Sequence, residues 1–176
     1  MNEILKMFEY EGKTTKIIGK SRTKAYKDVY DYLTSMQGDK LPVHEDYLGD
    51  NELAQIIYTK KYYLKNLNNE CIESCPEDVF KRLASFLAIP ESTKANQKKW
   101  AERFYTELYE GRFVSGGRVL AGAGDLYRVK TLANCFVSKI QYDDIDSIYE
   151  AAFECARTYS YGGGIDDNSS SNAITQ

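Results

Sequence analysis

The chain has 176 residues, 43% hydrophobic and 28% charged, enough to bury a core, and its 23 basic against 26 acidic residues leave a net charge of -3. That balance lacks the electrostatic footprint of a dedicated nucleic-acid binder. No apolar run is long enough to span a bilayer, and the opening MNEILKMFEYEGK lacks the apolar stretch of a secretory signal, so a cytoplasmic setting is expected.

In chain order, the first twenty residues carry short apolar patches at Ile4–Leu5 and Ile17–Ile18 without sustained period and read as an extended arm or weak hairpin. Tyr26, Val29, Tyr30, Leu33 and Met36 then recur at helical spacing, which predicts a helix from Arg22 to Met36 stopped at Gly38. After a polar connection through Pro42, a second helix is predicted from about Asn51 to Lys65 on Leu53, Ile56, Ile57 and Tyr63, with Asp50 as its cap. Ser74-Cys75-Pro76-Glu77 reads as a capping box with proline in the first turn. The helix it opens shows Phe80, Leu83, Phe86 and Leu87 and ends before Pro90. Ser92 or Thr93 can cap the next helix, which carries Trp100, Phe104 and Leu108 and stops at Gly111.

Beyond Gly111 the pattern changes. Gly116, Gly117, Gly122 and Gly124 suit either a tight turn with close packing or a backbone that approaches a ligand. No Gly-Lys-Ser/Thr follows and the third glycine of the dinucleotide fingerprint is missing, so the two common phosphate loops are excluded. TLANCFVSKI reads as a strand, with Leu132, Asn134, Phe136 and Ser138 on one face and Ala133, Cys135, Val137 and Lys139 on the other. Asp143, Asp144 and Asp146 open a helix to about Tyr159, with Ile145, Ile148, Ala152, Cys155 and Tyr159 on one stripe, ending at Gly162-Gly163-Gly164. These carboxylates either complement the helix dipole, one of them as cap, or hold a ribose hydroxyl; spacing leaves both open. The polar DDNSSSNAITQ reads as disorder.

The four cysteines are expected as reduced thiols. Cys71 and Cys75 lack further ligands at zinc spacing, with one His in the chain, so no metal site is expected. Cys155 reads as core filling. Cys135 is either a small core residue or a thiol whose chemistry requires a partner.

The order of the blocks ESCPEDVFKRLASFLAIPE, RFYTELYEGRFVSGGRVLAGAGD, TLANCFVSKI and DDIDSIYEAAFECARTYSYGGGI resembles the N-terminal part of the large, catalytic subunit of ribonucleotide reductases, continuously from about Tyr47 to Ile165. The resemblance implies a mainly α N-terminal domain leading into the first strand and helix of an α/β ten-stranded barrel, truncated here. It implies residues 1–45 as an N-terminal arm and helix without a clear ATP-cone, 46–111 as the helical domain, 112–165 as the start of the barrel, and 166–176 as a foreign tail, as if the gene were split or interrupted. By the same resemblance Cys135 is one of two redox-active thiols, its partner absent. The resemblance also implies that Ser115, Gly116, Gly117, Asn134, Gly163 and Gly164 bind substrate and that Asp143 and Asp144 contact a specificity effector. The implied function is reduction of ribonucleoside di- or triphosphates to deoxyribonucleotides. The fragment is expected to hold no cofactor and to be inactive alone. The parent enzyme needs a radical generator, either a metal-containing small subunit or adenosylcobalamin, and a dNTP or ATP effector. Implied partners are the C-terminal remainder as a separate chain, a second large subunit and the small subunit, with no nucleic acid and no membrane. A non-catalytic nucleotide-binding or dimerisation module, or an abortive product, is the alternative.

Overall fold

In the computed structural model, which describes residues 3–44 and 46–167, the segment expected as an extended arm is helical: α1 (Glu3–Glu9) and α2 (Lys13–Ile18). Ile4 and Met7 sit on one face of a helix too short to show a period in sequence, and both are buried with Tyr26, Tyr30, Leu64, Ile89 and Leu126. Tertiary burial, not propensity, stabilises so short a helix. Next, α3 (Lys20–Met36) turns Tyr26, Val29, Tyr30 and Leu33 inward as its spacing predicts.

The second predicted helix is broken. α4 (Glu52–Ile57) is capped by Asn51, not Asp50, through a 3.0 Å bond from the Ala54 N–H to Asn51 Oδ1, and its Leu53 and Ile56 are exposed. It passes into a π-helical turn, Tyr58–Tyr62, closed by the Tyr63 N–H donating to the Tyr58 carbonyl at 2.8 Å. The wider turn lays Tyr58, Tyr62 and Tyr63 on the core in place of the expected leucine and isoleucine.

α5 (Pro76–Leu87) begins with proline at its first position, as expected, but the capping box is replaced. Asp78 Oδ2 reaches back to Ser74, accepting from its N–H at 3.0 Å, while Glu77 is buried and accepts from the His44 N–H at 3.0 Å. Thr93 caps α6 (Lys94–Tyr109), which buries Ala101, Tyr105 and Leu108 and leaves Trp100 and Phe104 half-buried. Leu108 is inward as predicted, while Ala101 and Tyr105 take the inward places expected for Trp100 and Phe104. The glycine-rich stretch contains a short helix absent from the sequence reading, α7 (Gly117–Gly122).

The described residues fall into two compact units, one reaching Val129 and one starting at Lys130. Residues 112–129 therefore pack with the helical unit, past the boundary expected at Gly111, because Leu120, Ala123 and Leu126 are core residues there. The same unit is organised around a buried guanidinium. Arg82 is fully buried; its Nε donates to Glu73 Oε1 at 2.6 Å and its Nη2 to Glu73 Oε2 at 3.2 Å. The same Nη2 lies 3.0 Å from the carbonyls of both Tyr62 and Leu120, and Nη1 donates to the Ala123 carbonyl at 2.5 Å. Glu73 is completed by the Leu64 N–H at 2.7 Å. Burial works against the charged guanidinium, but the Glu73 charge and hydrogen bond, helped by Tyr26 and Asp125, outweigh it and hold the Arg82 pKa above its ordinary value. Gly124, at φ +80°, closes this corner: a Cβ there would lie 2.5 Å from Tyr26 Oη and 2.8 Å from Arg82 Cγ.

The second unit is a β-α-β element. β1 (Cys135–Ser138) pairs in parallel with β2 (Gly164–Asp167), Cys135 opposite Gly164 and Val137 opposite Asp166, and α8 (Ile145–Ser160) connects them. β2 includes Asp166 and Asp167, which the sequence reading assigns to the tail; the rest of that tail, 168–176, lies outside the described residues. The fold class is thus mainly α with a two-stranded parallel sheet. Among the described residues no helix is long and apolar enough to cross a membrane.

Removing one partner of a buried ion pair strands the other charge, so Glu73→Gln is expected to cost about 3–5 kcal/mol in urea unfolding. Arg82→Met, which also orphans three backbone carbonyls, should cost at least as much. Burial raises the hydroxyls of Tyr58, Tyr63 and Tyr105 from 10.0 to about 12. A raised folded-state pKa gives stability that is complete below the unfolded value and lost as pH rises through the folded one. Unfolding followed by circular dichroism should therefore show stability constant up to about pH 9 and falling between pH 10 and 12.

Candidate functional site

The residues expected to bind substrate divide between the two units, and each group is held differently. In the first unit Ser115 is buried while Gly116, just ahead of α7, and Gly117, its first residue, are exposed. The Ser115 Oγ has no hydrogen-bond partner among the described residues. The segment is fixed from behind by Arg82, whose bonds to the Leu120 and Ala123 carbonyls hold α7 and its C-terminal end. A buried hydroxyl without a partner beside an exposed glycine pair is a local arrangement that a polar ligand can complete.

In the second unit Asn134, Cys135 and Gly164 come together. Cys135 opens β1, is exposed, and stands opposite Gly164 in the parallel register. The Gly164 N–H donates to the Asn134 carbonyl at 2.7 Å, and a Cβ on Gly164 would lie 3.5 Å from Cys135 Sγ and 3.4 Å from that carbonyl. Glycine at this register position thus leaves one side of the thiol uncovered. Gly163 is required by space alone: a Cβ there would fall 2.8 Å from both Phe136 Cε2 and Thr158 Cγ2. Gly162, at φ +85°, ends α8 and turns the chain into this glycine pair.

The strand face expected to alternate does not bury one side. Phe136 and Val137 are both exposed and Ser138 alone in β1 is buried, its Oγ donating to Glu154 Oε2 at 3.2 Å. The stripe of α8 is likewise open, with Ile145, Ile148, Tyr149, Phe153 and Tyr159 exposed and Ala151 buried. Cys155, expected as core filling, is half-buried.

Of the acidic pair, Asp144 is the α8 cap: its Oδ1 accepts from the Ser147 N–H at 2.7 Å. Asp143 precedes it and is exposed. One carboxylate therefore has a structural role, and the other is available to solvent.

The other thiols differ from Cys135 in their surroundings. Cys71 is exposed, with Sγ 3.6 Å from the Thr59 carbonyl. Cys75 is half-buried; desolvation first, then the charge of Asp78, pushes its thiol up to about 12, which keeps it protonated and unreactive. Among the described residues no group of three or more His, Cys, Asp or Glu side chains is placed to hold a metal ion. Sequence reasoning did not identify the Arg82–Glu73 support behind Ser115, since an arginine and a glutamate nine residues apart across a helix start carry no motif.

The family model described as ribonucleotide reductase, all-alpha domain, matches residues 48–128. That span runs from just before α4 to the last residues of the helical unit and ends before β1. No curated protein matches the chain.

Alkylation at pH 8 followed by peptide mass spectrometry should label Cys135 and Cys71 well before Cys75, whose thiolate fraction at that pH is on the order of 10⁻⁴ from a value near 12. Gly163→Ala should lower the stability of the second unit by about 1–3 kcal/mol through the forced movement of Phe136 and Thr158, read as faster amide hydrogen exchange confined to residues from Lys130 onward.

Proposed function

We propose that the chain, whose residues 48–128 match the family model described as ribonucleotide reductase, all-alpha domain, is the N-terminal part of the large subunit of such an enzyme, with Cys135 one of the two thiols that reduce the substrate. The observation that carries the reading is the placement of Cys135. It lies on an exposed strand beyond the matched domain, with Asn134 beside it and Gly164 leaving its Sγ uncovered on one side.

The chemistry balances as follows. The 2′-hydroxyl of the ribose leaves as water, C2′ gains a hydrogen, and two thiols lose two protons and two electrons to one disulfide, Cys135 supplying one sulfur. Ser115, Gly116 and Gly117 would meet the bound nucleotide from the helical unit; the unpartnered Ser115 hydroxyl supports this. Asn134, Gly163 and Gly164 would meet it from the second unit. A radical generator, a metal-containing small subunit or adenosylcobalamin, supplies the hydrogen abstraction that starts reduction, and no residue of this chain is assigned to hold it. The second thiol, the radical-bearing cysteine and the remaining catalytic groups belong to the family's ten-stranded barrel. Turnover therefore needs that barrel as well as residues 1–176. Substrates would be ribonucleoside di- or triphosphates, in the cytoplasm.

The exposed stripe of α8 favours a second role for the same unit. Ile145, Ile148, Tyr149, Phe153 and Tyr159 form an uncovered apolar face beside Asp143, which fits a helix that pairs with a second large subunit around a dNTP or ATP effector. Kept without the reaction, that surface is the dimerisation-module alternative.

The test is deoxynucleotide formation by the chain combined with a polypeptide carrying the barrel and the matching radical source. Activity is expected only from the combination, and Cys135→Ser should abolish it while Cys71→Ser leaves it unchanged. Full activity of Cys135→Ser would refute the assigned role, since serine cannot form the disulfide.

A further inference from the structure

A cleft unrelated to Cys135 lies in the first unit, between α1–α2 and the start of α3. It encloses about 510 Å³, within the range of about 300–1,000 Å³ typical of small-molecule sites. Phe8 and Tyr10 form its apolar wall, with Thr15, Gly19 and Thr23 between. Lys16 on α2 and Lys20, Lys24 and Lys27 on α3 also line it. In a chain of net charge -3 this is a local reversal of sign, and a cleft focuses such a field.

Two of the four ammonium groups are already neutralised: Lys20 lies 3.4 Å from Glu11, which also lines the cleft, and Lys27 is 2.6 Å from Asp31. Lys16 and Lys24 have no carboxylate partner among the described residues. The wall is held in place. Phe8 packs edge-on against Tyr26 at 4.8 Å between centroids, and Tyr10 lies 5.3 Å from Tyr127. Tyr10 also presses onto Gly12, where a Cβ would fall 2.1 Å from its ring. Glycine at position 12 is thus what allows the ring to lie against the backbone and face the cleft. The threonines do not compete for a ligand, because Thr15 and Thr23 donate their hydroxyls to the Gly12 and Gly19 carbonyls.

We propose that this cleft binds a small organic phosphate: a flat or apolar body against Phe8 and Tyr10, and a dianionic head on Lys16 and Lys24. Two compact ammonium groups match a doubly charged head better than a single carboxylate. The proposal does not rest on Cys135 or on the reductase reading.

The full chain is titrated with 1-naphthyl phosphate, 1-naphthol and inorganic phosphate by calorimetry. The phosphate ester should bind at least about tenfold tighter than either part alone. Lys16→Glu with Lys24→Glu, both at exposed positions, should raise its Kd by about tenfold or more with an unchanged circular dichroism spectrum. Gly12→Ala, which drives the Tyr10 ring off its seat, should weaken the ester and leave inorganic phosphate unaffected. Competition by adenosine monophosphate or by hexyl phosphate then separates a nucleotide from an alkyl phosphate as the natural source. Equal affinity for 1-naphthol and its phosphate, no binding of the ester, or an unchanged Kd in the double lysine variant would each overturn the proposal.

Discussion

The helical unit depends on one buried charge. Arg82 has five N–H donors and no acceptor, so once it is placed in the core every one of its directions must end on an oxygen. Glu73 takes bonds from Nε and Nη2, Nη2 is shared further with the Tyr62 and Leu120 carbonyls, and Nη1 reaches the Ala123 carbonyl. Those oxygens belong to the loop before α5, the end of the π-helical turn, and both ends of the last turn of α7. One guanidinium therefore fixes the mutual position of segments that are distant in sequence, and it does so with geometry rather than with bulk. An apolar residue of the same size could fill the space but could not set the position of three carbonyls.

This constraint reaches the candidate site through α7. Ser115, Gly116 and Gly117 lie on the chain leading into that helix, so their backbone is positioned by bonds made to its far end. The second unit is organised on a different basis, with few buried side chains and glycines chosen for space. Gly164 leaves the Cys135 sulfur uncovered, and Gly163 makes room for Phe136 and Thr158. Its apolar side chains on β1 and α8, Val137, Ile145, Tyr149 and Phe153 among them, are open.

Much of this was legible in the sequence where the signal was long and periodic. The helices around Tyr26–Leu33, Phe80–Leu83 and Ala101–Leu108, the strand at Cys135 and the glycine end of α8 follow from spacing and stop residues. Short or cooperative features were not. α1 contributes two buried residues, too few for a period. α7 is only six residues long with glycine at both ends, too short a run to signal a helix until Arg82 ties it down. The capping box failed because Glu77 was drawn into the core by the His44 N–H, leaving Asp78 to satisfy Ser74. In the site, the order of blocks singled out Cys135, but its uncovering by Gly164 is a matter of parallel register, which links residues 135 and 164 only after the sheet forms.

The central claim is that Cys135 is consumed as a reductant. In the enzyme completed with its barrel polypeptide and stripped of external reductant, a single turnover followed by rapid alkylation and mass spectrometry tests it directly. Cys135 is expected to pass from an alkylatable thiol to a disulfide in proportion to deoxynucleotide formed. Product formed while Cys135 stays fully alkylatable would contradict it.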